Sequence, residues 1–88
     1  MAIMLEGRAM TDRAAAHDHL AQRLALPEWY GRNLDALYDC LTEIGAETEI
    51  ILQDPAAVIE LLGKYGEARL ATMQEAAESN PKLIVTLR

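Results

Sequence analysis

The sequence is poor in aromatic residues. Its 88 residues include three tyrosines, one tryptophan and no phenylalanine, although 51% of the chain is hydrophobic by a broad count. Aliphatic side chains must therefore build most of the core. A chain of this length is expected to form one domain, residues 1–88, that hides roughly 60–65% of its unfolded surface on folding.

Cysteine is also scarce, because Cys40 is the only one. An internal disulfide is excluded, which fits a reducing compartment. No apolar run approaches the roughly 20 residues that a membrane-spanning helix needs. The first residues, MAIMLEG, lack the basic segment and the apolar stretch of a secretory signal. We therefore expect a cytoplasmic protein that does not bind membranes.

Basic residues are fewer than acidic ones, 8 against 14, and the formal net charge is −6. The excess is concentrated between Glu28 and Glu60, where eight acidic residues and one arginine give a net charge of −7. This charge argues against direct binding of nucleic acid, which requires a basic face. It favours a cationic partner instead.

The apolar pattern predicts three strands, of which the first is expected to be buried on both faces. They are AIMLEG (2–7), EIILQ (49–53) and KLIVTLR (82–88). The segments between them have helical spacing. Apolar strands joined by helices are expected to lie parallel, with right-handed connections, so the pattern predicts an α/β fold with a three-stranded parallel sheet.

Capping residues and breakers predict where four helices begin and end. The first starts at a Thr11 or Asp12 cap and ends by about Leu26, before Pro27, and the second follows an Asn33 cap and runs from Leu34 to about Ile44. The third begins at an Asp54 cap with Pro55 and ends at Gly63 or Gly66. The fourth runs from about Glu67 to Ser79. The loop before the second helix contains Gly31, which can adopt a positive φ.

The second predicted helix carries two aspartates on the side opposite its apolar residues. Asp35, Tyr38, Asp39 and Thr42 share this side. Asp35 and Asp39 are spaced i, i+4, so they repel each other by a few tenths of a kcal/mol. No basic residue within the helix relieves this repulsion. A cation supplied by a partner would do so, whereas the alternative is an ordinary solvated helix face.

The aromatic loop before this helix has two interpretations. Trp29 and Tyr30 either supply contact area to a partner, as such residues do at protein interfaces, or fold inward as core. His17 and His19 point about 200° apart on a helix and cannot share a metal ion, so an exposed face without function is expected. Cys40 is expected to be a buried structural thiol. We find no catalytic, metal or cofactor motif and expect no cofactor.

The segment LALPEWYGRNLDALYDCLTE (24–43) closely resembles the signature of the barstar family, intracellular inhibitors of barnase-type ribonucleases. The match comprises Leu26-Pro27-Glu28, the aromatic pair, Gly31, Asn33 to Leu37 and Asp39-Cys40-Leu41. The resemblance implies a small α/β domain with strand order 1-2-3 and four helices. It also implies an inhibitor, not an enzyme, that blocks a microbial, guanyl-preferring ribonuclease. The alternative is an interaction module on the same fold that inhibits no nuclease.

The resemblance also implies a site and a partner. Asp39 would occupy the position of the substrate phosphate, Asp35 would pair with a basic residue at the base-recognition end, and Trp29 would stack on the catalytic histidine of the enzyme. The partner would be a basic extracellular-type ribonuclease or a ribonuclease toxin with this chain as its immunity protein, and the free chain would be a monomer. The expected partner-binding residues are Trp29, Tyr30, Gly31, Asn33, Leu34, Asp35, Tyr38, Asp39, Thr42, Glu43 and Glu75.

Overall fold

A computed structural model describes residues 2–28 and 30–88 of the chain. In chain order its elements are β1 (Ala2–Glu6), a 3-10 turn (Gly7–Ala9), α1 (Arg13–Leu24), α2 (Leu34–Thr42), β2 (Thr48–Gln53), α3 (Pro55–Leu62), α4 (Lys64–Ser79) and β3 (Leu83–Leu87). Within the described residues, no helix combines the length and the apolar character needed to span a bilayer.

The three strands form one parallel sheet in the order β1-β2-β3. Ala2 lies opposite Glu49 on β2, and Glu49 lies opposite Ile84 on β3. Each crossover between neighbouring strands contains two helices, as the alternation of apolar runs and helical segments predicts. The predicted α/β fold, with its parallel sheet and four helices, is confirmed.

The core lies on one face of the sheet. Leu5, Ile50 and Leu52 point to this face and pack against buried side chains of the four helices. The opposite face carries Glu49, Thr86 and Ile84, and the Ile84 side chain is 60% exposed. The prediction that β1 is buried on both faces is therefore wrong, because the helices cover only one side of the sheet.

Aliphatic residues dominate this core, as the absence of phenylalanine predicts. Among residues 2–28 and 30–88, one aromatic residue, Tyr30, belongs to the buried cluster. The buried cluster consists of Leu5, Met10, Ala16, Leu20, Tyr30, Leu37, Leu41, Ile50, Leu52, Val58, Met73, Ala76 and Leu83. Side chains from three strands and four helices thus meet in a single cluster, to which α3 contributes Val58 and α4 contributes Met73 and Ala76.

The predicted caps of α1 and α2 are confirmed. The Asp12 carboxylate accepts a hydrogen bond from the Ala15 N–H at 2.8 Å, and the Asn33 side chain accepts one from the Ala36 N–H at 2.8 Å. Each satisfies a backbone donor that the first turn of a helix leaves free. Helix α1 ends at Leu24, slightly before the predicted end, because Ala25 adopts a left-handed conformation with φ 52°.

Two predictions around α3 need correction. Asp54 precedes the helix, but its side chain makes no capping hydrogen bond and instead pairs with Arg8 at 2.8 Å. Helix α4 begins at Lys64 rather than Glu67, so Gly66 lies inside it. A Cβ atom at Gly66 would collide with the Val58 carbonyl oxygen. This glycine therefore permits close packing of α3 against α4 and does not end a helix.

Candidate functional site

Helix α2 carries the acidic pair on its exposed side. Leu37 and Leu41 are buried, whereas Asp35 and Asp39 are exposed and one turn apart. Neither carboxylate forms an ion pair within the described residues. The pair is thus free to receive cationic groups from outside.

Arg32 is the basic residue nearest to this pair in sequence, but it is directed elsewhere. Its guanidinium contacts the Asp18 carboxylate at 2.6 Å and donates to the Ala14 carbonyl oxygen at 3.2 Å. Both acceptors belong to α1. Arg32 also has the positive φ of this loop, 55°, which the sequence assigned to Gly31. A left-handed non-glycine residue is strained by about 1–3 kcal/mol, so the contacts to α1 must hold it.

Tyr30 lies inside the protein and is 6% exposed. Of its two interpretations the structure supports the core position, so its ring cannot supply a large exposed contact area. Its hydroxyl lies 2.6 Å from His17 Nδ1. Burial raises the pKa of Tyr30 to about 12, so the phenol keeps its proton. Trp29, the neighbouring candidate, lies outside the described residues.

His17 is buried, so the predicted exposure is wrong for it. The residue is 2% exposed, and its Nε2 atom lies 2.5 Å from the Tyr65 hydroxyl of α4. Burial and then the positive charges of Arg69 and Arg32 lower the pKa of His17 to about 4. The imidazole is therefore neutral at neutral pH and bridges two tyrosines that are distant in sequence.

His19 is directed away from His17, as the helical spacing predicts. Its Nε2 atom accepts a hydrogen bond from the Glu6 backbone N–H at 3.0 Å. Burial lowers its pKa as well. Within residues 2–28 and 30–88, no group of three or more histidine, cysteine, aspartate or glutamate side chains is arranged to hold a metal ion.

Arg69 on α4 is fully buried beside these tyrosines. Its Nη2 atom donates to the Ala16 carbonyl oxygen at 2.9 Å, whereas Nε and Nη1 have no hydrogen-bond partner. Burial lowers the pKa of Arg69, and the Tyr30 and Tyr65 hydroxyls oppose this shift. We call His17, Tyr30, Tyr65 and Arg69 the tyrosine–histidine cluster. It was missed because its members are far apart in the sequence.

The remaining candidates on α2 combine exposure with structural contacts. The half-buried Tyr38 extends its hydroxyl to Ser79 Oγ of α4 at 2.9 Å. The Thr42 hydroxyl donates to the carbonyl oxygens of Tyr38 at 2.9 Å and Asp39 at 3.0 Å. Glu43 is exposed directly after the helix. These groups surround Asp39 on the same part of the surface.

The remaining predicted site residues lie before α2, in its first turn and on the neighbouring helix α4. Gly31 and Asn33 are exposed before the helix, and Leu34 is half-buried in its first turn. Glu75 is exposed on α4, one turn before Ser79. Since residues four apart share a helix face, Glu75 lies on the side of α4 that Ser79 presents to Tyr38. Helices α2 and α4 thus border one acidic surface.

Cys40 is half-buried on α2 in an environment that disfavours its thiolate form. Burial raises the pKa of its thiol, and the charges of Glu43 and Asp39 raise it further. The thiolate is the reactive form of cysteine, and this environment disfavours it. The expected structural thiol is therefore half-buried rather than fully buried.

A groove of about 390 Å³ lies at the amino ends of the strands. It is lined by Ala2, Glu47, Thr48, Glu49, Pro81, Lys82 and Ile84. None of the predicted site residues borders it. The candidate residues therefore lie on the surface of α2, α4 and the preceding loop and not in this groove.

The chain is a small α/β domain with an exposed acidic helix face beside a loop attached to α1. The chain belongs to the barstar family: the family model described as "Barstar (barnase inhibitor)" matches residues 1–87. It is also 38% identical over 77 residues to "Putative ribonuclease inhibitor YrdF" of Bacillus subtilis (strain 168), covering 86% of this chain and 85% of that relative. Members of this family are inhibitors rather than enzymes.

Proposed function

We propose that this chain inhibits a barnase-type, guanyl-preferring microbial ribonuclease by covering its active site with α2 and the preceding loop. The observation that carries the proposal is the exposed pair Asp35 and Asp39, which have no ionic partner within the described residues. The family description and the name of the Bacillus subtilis relative support the same function.

Charge complementarity is the physical basis of the inhibition. A ribonuclease active site is built to bind a polyanion and is therefore rich in arginine, lysine and histidine. Asp39 would occupy the position of a substrate phosphate, and Asp35 would meet a basic residue at the base-recognition end. The net charge of −7 between Glu28 and Glu60 would attract a basic enzyme over a longer range.

The loop and neighbouring helix supply the rest of the surface. Trp29 would stack on the catalytic histidine, while Gly31, Asn33 and Leu34 would contact the enzyme at the start of α2. Further contacts would come from Tyr38, Thr42, Glu43 and Glu75. Tyr30 would contribute mainly by fixing the loop, because its ring is buried.

The decisive test compares two substitutions that each remove one negative charge. Asp39→Asn removes a charge from the proposed contact surface, and Glu60→Gln removes one from the exposed side of α3. We expect Asp39→Asn to weaken binding to a barnase-type ribonuclease by about 2–5 kcal/mol, a range known from buried interfacial charge pairs, the barnase–barstar complex among them. Glu60→Gln should mainly change the association rate. Calorimetry and a ribonuclease inhibition assay measure both.

Equal losses for the two variants would show that net charge, and not the acidic pair, carries binding. Binding without inhibition would identify the chain as an interaction module on the same fold. If the ribonuclease is a toxin, we further propose that this chain is its immunity protein. Coexpression of the chain should then rescue cells that produce the toxin, and Asp39→Asn should rescue them less well.

A further inference from the structure

We propose that His17, Tyr65 and Arg69 are positioning residues for partner binding: they fix the loop of residues 26–33 in the conformation that presents its contacts to the ribonuclease. This inference rests on the proposed function. None of the three residues belongs to the proposed contact surface: His17 contacts Tyr30 of the loop, Tyr65 contacts His17, and Arg69 contacts α1 at Ala16. The juxtaposition that carries the inference is a buried histidine between the loop tyrosine and the α4 tyrosine.

The loop is attached to one face of α1. Tyr30 contacts His17, and Arg32 contacts the Ala14 carbonyl oxygen and the Asp18 carboxylate. Positions 14, 17 and 18 lie at i, i+3 and i+4, so they form a single face. The Tyr30–His17 contact is the buried one of these attachments, whereas those of Arg32 are exposed to solvent. The first is therefore shielded from competition with water.

Tyr65 fixes the orientation of the histidine. A neutral imidazole has one N–H donor and one acceptor nitrogen, so one tyrosine donates a hydrogen bond to His17 and the other accepts one. Loss of the Tyr65 hydroxyl would leave one ring nitrogen without its partner and free the ring to change tautomer. Arg13 of α1 holds Tyr65 from the other side, with its guanidinium carbon 4.2 Å from the ring centroid.

Arg69 is the last member of the cluster, and folding stability alone does not explain why its guanidinium is buried there. Its bond to the Ala16 carbonyl oxygen joins α4 to α1 directly beside His17. A buried guanidinium with two nitrogen atoms that lack hydrogen-bond partners costs folding free energy, and an apolar side chain of similar volume is often tolerated better at such a site. A role in aligning α1, α4 and the loop accounts for its presence.

The variant Tyr65→Phe tests this inference, because it removes the hydroxyl while keeping the ring under Arg13. Thr86→Val is the matched control: it removes the hydroxyl that donates to Glu49 on the exposed face of the sheet. The first readout is amide hydrogen exchange of residues 26–33 in the free chain. The second is inhibition of a barnase-type ribonuclease, and the third is the pair of ¹⁵N shifts of the His17 ring.

For Tyr65→Phe we expect faster exchange confined to the loop, tautomer averaging at His17 and inhibition weakened by roughly 2- to 10-fold, the range corresponding to one hydrogen bond. Thr86→Val should change none of these. Loop exchange and inhibition that stay at wild-type values would overturn the inference. So would exchange that rises evenly over the whole chain, since that indicates general destabilisation.

The two proposals fail in different ways. A wild-type chain that inhibits no barnase-type ribonuclease contradicts the proposed function, and the hydrogen exchange of the free chain then decides whether the cluster holds the loop. A wild-type chain that inhibits, together with a Tyr65→Phe variant that inhibits equally well, contradicts only the positioning role. Arg69→Met provides a second variant, for which faster loop exchange is also expected.

Discussion

The acidic pair of α2 and the tyrosine–histidine cluster carry uncompensated charge in opposite surroundings. Asp35 and Asp39 stand in water, where their mutual repulsion costs only a few tenths of a kcal/mol. Arg69 is fully buried, and its Nε and Nη1 atoms have no hydrogen-bond partner, although an unsatisfied buried donor group costs about 1–3 kcal/mol. Neither arrangement favours the free protein, and the loop of residues 26–33 lies between the two. The comparison sets an exposed surface that we propose binds the partner against a buried cluster that we propose aligns it.

Among the changes that test this comparison, Trp29→Ala is expected to have the largest effect. If it belongs to the exposed binding surface, Trp29→Ala should weaken ribonuclease binding by ~2 kcal/mol or more, as at an interface hot spot, with little loss of folding stability. A core tryptophan would instead cost about 3–5 kcal/mol of stability. Urea unfolding and calorimetry separate the two. A collapse of the urea midpoint, with binding by the remaining folded fraction unchanged, would assign this residue to the core.

Acid should affect the buried region before it affects the acidic surface. The pKa of His17 is lowered from 6.5 to about 4 in the folded protein. The unfolded chain therefore takes up the proton first, so the stabilisation is complete above pH 6.5 and is lost progressively as the pH falls towards 4. Between pH 7.5 and 5 we expect the free energy of unfolding to fall by about 2 kcal/mol. Urea titrations at a series of pH values measure this.

His19 titrates in the same direction, because burial lowers its pKa too. The variant His19→Gln keeps a side-chain acceptor for the Glu6 N–H and removes this second titration. Most of the pH dependence should survive in it. If the dependence disappears instead, His19 and not the tyrosine–histidine cluster is responsible for the acid sensitivity.

The smallest effect concerns the acidic pair in the absence of a partner. Asp39→Asn removes the repulsion with Asp35 and a negative charge near the carboxyl end of α2, where the helix dipole disfavours it. We expect the free chain to gain roughly 0.2–0.5 kcal/mol of stability. The same variant should bind the ribonuclease less well, so stability and binding would change in opposite directions. A loss of stability in urea unfolding would show that Asp39 has an internal role.

The acidic pair of α2 could be predicted from the sequence because it depends on residues that are close together in the chain. The i, i+4 spacing of Asp35 and Asp39, the alternation of Leu37 and Leu41 with polar residues and the Asn33 cap all fall within a few turns of one helix. The family signature covers the same segment. The exposure of Asp35 and Asp39 and the Asn33 cap agree with the structure, whereas the roles of the site residues in partner binding stay predictions.

The tyrosine–histidine cluster could not be predicted from the sequence, because its contacts connect positions that are far apart in the chain. His17 lies 13 residues from Tyr30 and 48 from Tyr65. A lysine- and arginine-poor chain gives no reason to place Arg69 inside, and the pair of histidines at i, i+2 suggested an exposed helix. Only the packing of α1 against α4 brings these side chains together.

The two incorrect predictions around α3, for Gly66 and Asp54, have a similar cause. Gly66 resembles a helix terminator in the sequence, but in the fold it allows α4 to pass close to the Val58 carbonyl. Asp54 resembles a cap, but an arginine from the turn after β1 competes for its carboxylate. In both cases a tertiary contact outweighs the local preference.

The one-sided covering of the sheet has a practical consequence for handling this protein. Ile84 is 60% exposed on the face that carries no helix, and the acidic side of α2 points away from the core on the other side of the sheet. A fluorophore or a biosensor tether attached at position 84 should therefore leave the proposed inhibitory surface accessible. Cys40 is half-buried on α2, so an Ile84→Cys variant labelled with a thiol reagent needs Cys40→Ala to direct the label to the sheet.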